Sequence, residues 1–263
     1  MDFDISIRLL AFFSVFGFMA SWEARAPRRQ LSALKLKRWV ANLSVALLNT
    51  VAIRIVLASG AVGAAMVAEE QGWGILNILH LPAWFEVMVA VILLDLLIYA
   101  QHVTFHAVPV LWKVHMVHHA DPDYDVTTAV RFHPVEAILS MVLKIAGVAI
   151  LGASPTAVLA FEMILNGMAM FNHANVRILP SVDGILRWVM VTPDMHRTHH
   201  SIIQRETNSN FGFNLPWWDR LFGTYVENPS KGHERMTLGL KQFRNPACLK
   251  LGSILKLPFQ QAA

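Results

Sequence analysis

Ten of the twelve histidines in this chain lie between positions 102 and 200, and most of them fall in three spaced boxes. His102 and His106 form H-x-x-x-H; His115, His118 and His119 form H-x-x-H-H; His196, His199 and His200 repeat the second spacing. Residues three or four apart share a helix face, so each box on a helix presents imidazoles at a fixed separation. Neutral imidazole is a good ligand for iron, zinc, copper and nickel. About eight to ten such rings suit two metal ions rather than one. His80 and His233 stand apart from the boxes and read as ordinary hydrogen-bonded polar residues. A pH-sensing cluster does not require a duplicated spacing, and metal storage favours low-complexity histidine tracts, which are absent.

The elements that must carry these boxes are apolar. The chain has 263 residues, 55% hydrophobic and only 15% charged, with mean hydropathy +0.44. Apolar runs cover Ile5 to Trp22, Trp39 to Met66 and Leu81 to Ala100, each long enough or nearly so to cross a bilayer. A fourth apolar region, Val135 to Phe171, is broken by GASP at 152–155, leaving two short arms. It reads equally as a re-entrant hairpin or as two crossings. The expected fold is all-α: a multi-pass helical bundle under a cytoplasmic helical cap that holds a histidine-rich di-metal site. The divisions are residues 1–100 for three membrane helices, 101–134 for the first boxes, 135–172 for the hairpin and 173–263 for the cap. The last stretch, LKLGSILKLPF, is basic and apolar and could lie on the membrane surface or form a loose tail.

Charge gives the orientation. The loop between the first two runs carries Arg25, Arg28, Arg29, Lys35, Lys37 and Arg38, whereas the next loop has Glu69 and Glu70 and no basic residue. The positive-inside rule places the basic loop, and with it the histidines, in the cytoplasm. The net charge of +4 is membrane-flanking and forms no aromatic-interleaved patch, so nucleic acid is not an expected partner. The first run lacks the features of a cleaved signal peptide and is expected to stay as a helix. The single cysteine, Cys248, excludes an internal disulfide and a Cys-based zinc site.

Two polar stripes mark otherwise apolar helices. Asp95, Tyr99, His102 and His106 lie at i, i+4, i+7 and i+11, and Glu162, Asn166 and His173 at i, i+4 and i+11. Polar groups within a membrane are costly and usually functional, so both stripes are expected to face inward and meet below the metal. Lys144 and Glu162 lie at similar distances from the GASP turn, on opposite arms, and are expected to pair.

The segments YAQHVTFHAVPVLWKVHMVHH, RFHPVE, FNHANVRILP and MHRTHHS, followed by NSNFGFNLPWWDRLFGT, resemble the fatty acid hydroxylase/sterol desaturase superfamily of membrane non-haem di-iron oxygenases. The compact architecture is similar to bacterial members, which implies the bacterial inner membrane. The resemblance implies two iron ions, with O2 as co-substrate, held by His102, His106, His115, His118, His119, His173, His196, His199 and His200, with His133 of RFHPVE added. Arg131, Glu136, Asn172, Asn175, Asn210 and Asp219 lie in the same motifs. With Asp95, the asparagines Asn172, Asn175 and Asn210 are the candidate catalytic groups beside the metal. The implied reaction is hydroxylation of a C–H bond in a lipid, a fatty acyl chain, a sterol-like molecule or another membrane lipid. Electrons must come from an external donor, a ferredoxin, a cytochrome b5-like protein or a reductase, because no haem, flavin or iron–sulfur motif is present. A desaturase would use the same site. A zinc-dependent membrane hydrolase lacks its H-E-x-x-H here, and a non-enzymatic metal carrier would bind metal without consuming O2.

Overall fold

The computed structural model describes residues 2–260. Among these residues the fold is all-helical, with two isolated β-bridges and no strand. The long helices come first: α1 (Asp2–Arg25), α2 (Lys35–Val56), α3 (Gly60–Gln71), α4 (Ile75–Leu79), α5 (Ala83–Ala107), α6 (Pro109–His119), α7 (Pro134–Leu151) and α8 (Pro155–Asn172). Shorter helices follow: α9 (Pro180–Leu186), α10 (Pro193–His199), α11 (Gln204–Thr207), α12 (Trp217–Leu221), α13 (Gly232–Arg235) and α14 (Leu251–Lys256). Helices α6 to α10 each begin with proline at the first helical position. There its missing N–H costs nothing and its fixed φ suits the turn.

Four segments are long and apolar enough to cross a membrane: Ile5–Arg25, Lys35–Gln71, Ala83–Ala107 and Pro134–Leu151. They expose large apolar side chains, among them Leu10, Phe13, Leu47, Ile55 and Trp84, as a lipid-facing surface does. The second segment is not one continuous helix. It breaks at 57–59 between α2 and α3, where Gly60 adopts a φ of +60° that other residues avoid. Helix α5 packs on α8, α2 and α3 pack on α7, and α1 packs on α8. Small residues Ala61, Ala65 and Ala90 let these helices approach around Leu94, Val148 and Phe161.

The turn between α7 and α8 is fixed by Gly152, whose φ is +69° and whose missing Cβ would meet the Trp73 carbonyl oxygen at 2.4 Å. Ser154 caps α8 by accepting from the Ala157 amide at 3.2 Å. The Lys144–Glu162 pair is present at 2.7 Å, and Arg8 of α1 joins it at 2.7 Å.

Much of the basic loop is spent internally, which its reading as plain membrane-flanking charge did not anticipate. Arg28 pairs with Asp194 at 3.0 Å. Asn175 brackets the backbone of Arg29, accepting its N–H at 3.2 Å and donating to its carbonyl at 2.8 Å. The Arg38 guanidinium donates to Asp121 at 2.7 Å and to Asp125 at 2.5 Å, with all three side chains buried. Burial would raise the Asp121 carboxyl, but Arg38, helped by Arg131 and Asn42, brings it down to about 2. The C-terminal segment is not a loose tail. Ile254 and Leu257 are fully buried with Ala41, Val45, Met116 and Val117.

Candidate metal centre

Four elements deliver nine histidines to one chamber. Helix α5 supplies His102 and His106, α6 supplies His115, His118 and His119, the end of α8 supplies His173, and α10 with its cap supplies His196, His199 and His200. They sort into two groups: His102, His106, His115, His119 and His199 in one, and His118, His173, His196 and His200 in the other. Within each group the available ligand atoms lie within 4.8 Å of one another.

This sorting explains the duplicated box. In the first H-x-x-H-H the i, i+4 pair, His115 and His119, joins the group of five and His118 crosses to the group of four. In the second, His196 and His200 join the group of four and His199 crosses to the group of five. Each box therefore bridges both groups. The groups touch: the His119 and His200 rings stack at 4.5 Å, and the His196 and His199 rings stack at 5.1 Å.

Hydrogen bonds aim the rings. His102 Nδ1 meets the Phe211 carbonyl at 2.7 Å, His199 Nδ1 the Ser209 carbonyl at 2.7 Å, and His173 Nδ1 the Ala169 carbonyl at 2.7 Å. His115 Nδ1 meets Glu136 Oε1 at 2.5 Å. Each carbonyl or carboxylate accepts a hydrogen bond from Nδ1–H, which keeps the proton on Nδ1 and so leaves Nε2 as the lone-pair atom. The Nε2 atoms of His102, His115, His199 and His200 are buried with no hydrogen-bond partner. Unpaired buried nitrogens are costly, and a chamber of them is what a bound cation would satisfy.

Electrostatics agree with that chemistry. Burial, reinforced by neighbouring imidazoles, pushes His118, His119, His196, His199 and His200 well below the ordinary histidine range. Burial likewise takes His173 down to about 3. All six are neutral at physiological pH, the form that ligates metal. Five ligands in one group exceed the four that a structural zinc takes. The residues present therefore fit a pair of ions that accept nitrogen ligands.

His133 is not brought into the chamber. It caps α7, its Nδ1 accepting from the Val135 amide at 3.2 Å, and its Nε2 lies 3.3 Å from the Leu255 carbonyl. Its motif neighbour Glu136, one turn on, reaches the site instead.

The four candidate catalytic groups hold backbone rather than facing the histidines. Asp95 accepts from the amides of Asn214 and Leu215, each at 3.2 Å, and from Trp218 Nε1 at 2.8 Å. Asn172 Nδ2 donates to the Phe213 carbonyl at 2.9 Å. Asn175 holds the Arg29 backbone. Asn210, at φ +51°, donates to the carbonyls of Met195 and Val226 and accepts from the Val226 amide. Asp95, Asn172 and Asn210 thereby fix the loop that supplies Ser209 and Phe211, whereas Asn175 fastens the basic loop beside the end of α8. The expectation that both stripes face inward holds for Asp95 and Glu162, which are buried. It fails for Asn166, which is exposed beside α1.

Sequence reasoning missed the carbonyls of Ser209 and Phe211, because every residue carries one and only the fold selects them. It also missed the rings that wall the chamber. Phe132 stacks on His118 at 4.5 Å, and Tyr124 stacks on His173 at 5.4 Å.

The model of the fatty acid hydroxylase family matches residues 87–224, which include every histidine of both groups. The ornithine lipid hydroxylase OlsE of Rhizobium tropici is 30% identical over 148 residues, 56% of this chain and 44% of its own length. The alkylglycerol monooxygenases of Xenopus tropicalis and Homo sapiens are 28% and 25% identical over 164 residues, 60% of this chain and 35% of theirs. The chain thus spans less than half the length of these curated relatives. No solved structure matches it. A family match over more than half of the chain, centred on the histidine chamber, means that this protein belongs to the fatty acid hydroxylase family.

Proposed function

We propose that this protein hydroxylates an alkyl C–H bond of a membrane lipid, using O2 and a pair of irons held by the nine clustered histidines. The observation that carries the reading is the division of nine clustered imidazoles, eight of them buried, into two adjoining groups, with the Nε2 atoms of His102, His115, His196, His199 and His200 buried and unpartnered. Bound iron would supply the oxidising power that no amino-acid side chain has. In the net reaction one oxygen atom enters the C–H bond and the other leaves as water, with two electrons and two protons from an external donor such as a ferredoxin, a cytochrome b5-like protein or a reductase. The chain's own residues orient and exclude. Glu136 and the carbonyls of Ser209, Phe211 and Ala169 set the imidazole tautomers. Phe132, Tyr124 and Phe213 line the chamber with apolar rings and keep water from the reacting centre. The basic loop is fastened to the same end of the molecule as the histidines, which by the positive-inside rule supports a chamber on the cytoplasmic side, in this reading of a bacterial inner membrane. Two of the relatives are an ornithine lipid hydroxylase and an alkylglycerol monooxygenase, which supports a polar membrane lipid as substrate class.

The test is metal analysis with Mössbauer spectroscopy on protein purified without oxygen, followed by lipid profiling of cells with and without the gene. Two irons per chain and an O2-dependent hydroxylated lipid are expected. One zinc and no iron, even after iron reconstitution, would overturn the reading.

A further inference from the structure

A crevice runs between α1 and α8 on the lipid-facing side of the bundle. Ala11, Phe12 and Val15 form one wall, Met163, Gly167 and Met170 the other, and Arg8 and Asn166 add polar groups to these apolar walls. The polar groups are out of keeping with a lipid-facing surface. Asn166 is exposed and makes no hydrogen bond within the described residues. Arg8 bonds Glu162 but stays 29% exposed, and Lys144 already pairs with the same carboxylate. Two cations thus share one anion, and the cluster has a surplus positive charge facing the crevice. At the other end Met170 is buried three residues before His173, about 4.5 Å of helix rise. Gly167 keeps the middle open: a Cβ built there meets nothing within 4 Å.

We propose that this crevice binds one acyl chain of an ester-linked glycerolipid. The ester carbonyl accepts hydrogen bonds from Arg8 and Asn166, and the chain lies over Gly167 towards Met170 and the histidines. The chemistry of the walls selects this occupant. A hydrocarbon chain matches Phe12, Val15, Met163 and Met170, and an oxygen acceptor matches the two donors that hydrocarbon alone would leave unsatisfied. Met170, unbranched and deformable, is suited to sit between chain and chamber. The proposal rests on the lipid hydroxylase reading for its purpose, not for its geometry.

The experiment uses the full chain in phosphatidylcholine nanodiscs doped with phosphatidylcholine carrying a diazirine on one ester-linked acyl chain. After illumination, labelled peptides are mapped. Label concentrated on 11–15 and 163–170, above that on the exposed Leu43, Leu47 and Val51 face of α2, is expected. Gly167→Leu, whose Cβ meets nothing within 4 Å, projects a side chain into the crevice and should cut crevice labelling roughly tenfold, as a mismatched apolar pocket does, with metal content unchanged. Leu47→Trp, on the open face, should leave the pattern alone. An ether-linked probe, lacking the carbonyl, should label the crevice less. Uniform labelling of all lipid-facing helices, labelling unchanged by Gly167→Leu, or a crosslinked dimer through α1 would overturn the site; equal labelling by ester and ether probes would overturn the role of Arg8 and Asn166. Labelling needs no turnover. Crevice labelling without hydroxylated product would retire the hydroxylase reading and keep the crevice, and hydroxylation with uniform labelling would do the reverse.

Discussion

The two histidine groups are held by different means. In the group of five, His102, His106, His115 and His199 each have Nδ1 bonded to a fixed acceptor, from Phe211, Asn208, Glu136 and Ser209. In the group of four, His173 is bonded to the Ala169 carbonyl, but His118 Nδ1 and both nitrogens of His196 are buried without a partner. Ring packing does the positioning there: Phe132 on His118, Tyr124 on His173 and His200, and Phe213 near His196. Hydrogen bonds fix direction and tautomer, whereas packing fixes place and leaves rotation softer. The group of five is therefore the preorganised half, and the group of four is the half with more room to rearrange.

The sharpest way to break this contrast is to remove one ligand from each half. His118→Ala leaves three histidines in its group, one fewer than the other group keeps after losing a ligand, and should cost up to one metal per chain and all turnover. His199→Ala leaves four in the other and should retain more metal while also losing turnover. Elemental analysis reads both, and full metal occupancy in the two variants would refute the assignment.

Next in size is the support beneath the softer half. Tyr124 belongs to the 121–128 segment that Arg38 fastens through Asp121 and Asp125. Arg38→Met leaves two buried carboxylates uncompensated and should destabilise the fold by about 3–5 kcal/mol. Thermal unfolding in detergent checks it. The sign of the pH dependence follows from Asp121, whose carboxyl is depressed. Its contribution is complete above the ordinary carboxylate range and is lost as pH falls towards about 2. The advantage of the native chain over Asp121→Asn should accordingly persist from pH 8 down to 5 and shrink only in stronger acid.

The smallest of these effects is expected at the preorganised half. Glu136→Ala removes the carboxylate behind His115 and should weaken metal affinity about 10- to 100-fold, measured by chelator competition. Glu136→Gln, which can still accept from Nδ1, should recover part of the loss. Loss of metal from the group of four alone in Glu136→Ala would contradict the division.

The histidine chamber was legible in the sequence because helical spacing is local: His102 with His106, and each H-x-x-H-H, announce a shared face before any tertiary contact is known. The Lys144–Glu162 pair was legible for a similar reason, since two arms of a hairpin bring equidistant residues level. A face does not say which neighbour it meets, so Asn166 was expected inside and lies outside beside α1. Hydropathy likewise could not see the break at 57–59, where the chain stays apolar while its backbone turns. Arg38 counted as a flanking charge because the aspartates that bury it, Asp121 and Asp125, are more than eighty residues away. His133 shared a motif with Glu136, but His133 is the extended, non-helical cap of α7 and so does not share the helix face of Glu136, which alone of the two bonds a chamber histidine.

The distribution of the histidines along the chain also dictates an order of assembly. The group of five needs His199 and the group of four needs His196 and His200, while their first members lie on α5 and α6. During synthesis the membrane helices emerge well before α10, so neither metal position exists until the last third of the chain has been made. A nascent chain that stalls before that point carries inserted helices and six unclosed imidazoles, so completion of the histidine chamber tells a finished molecule from an unfinished one.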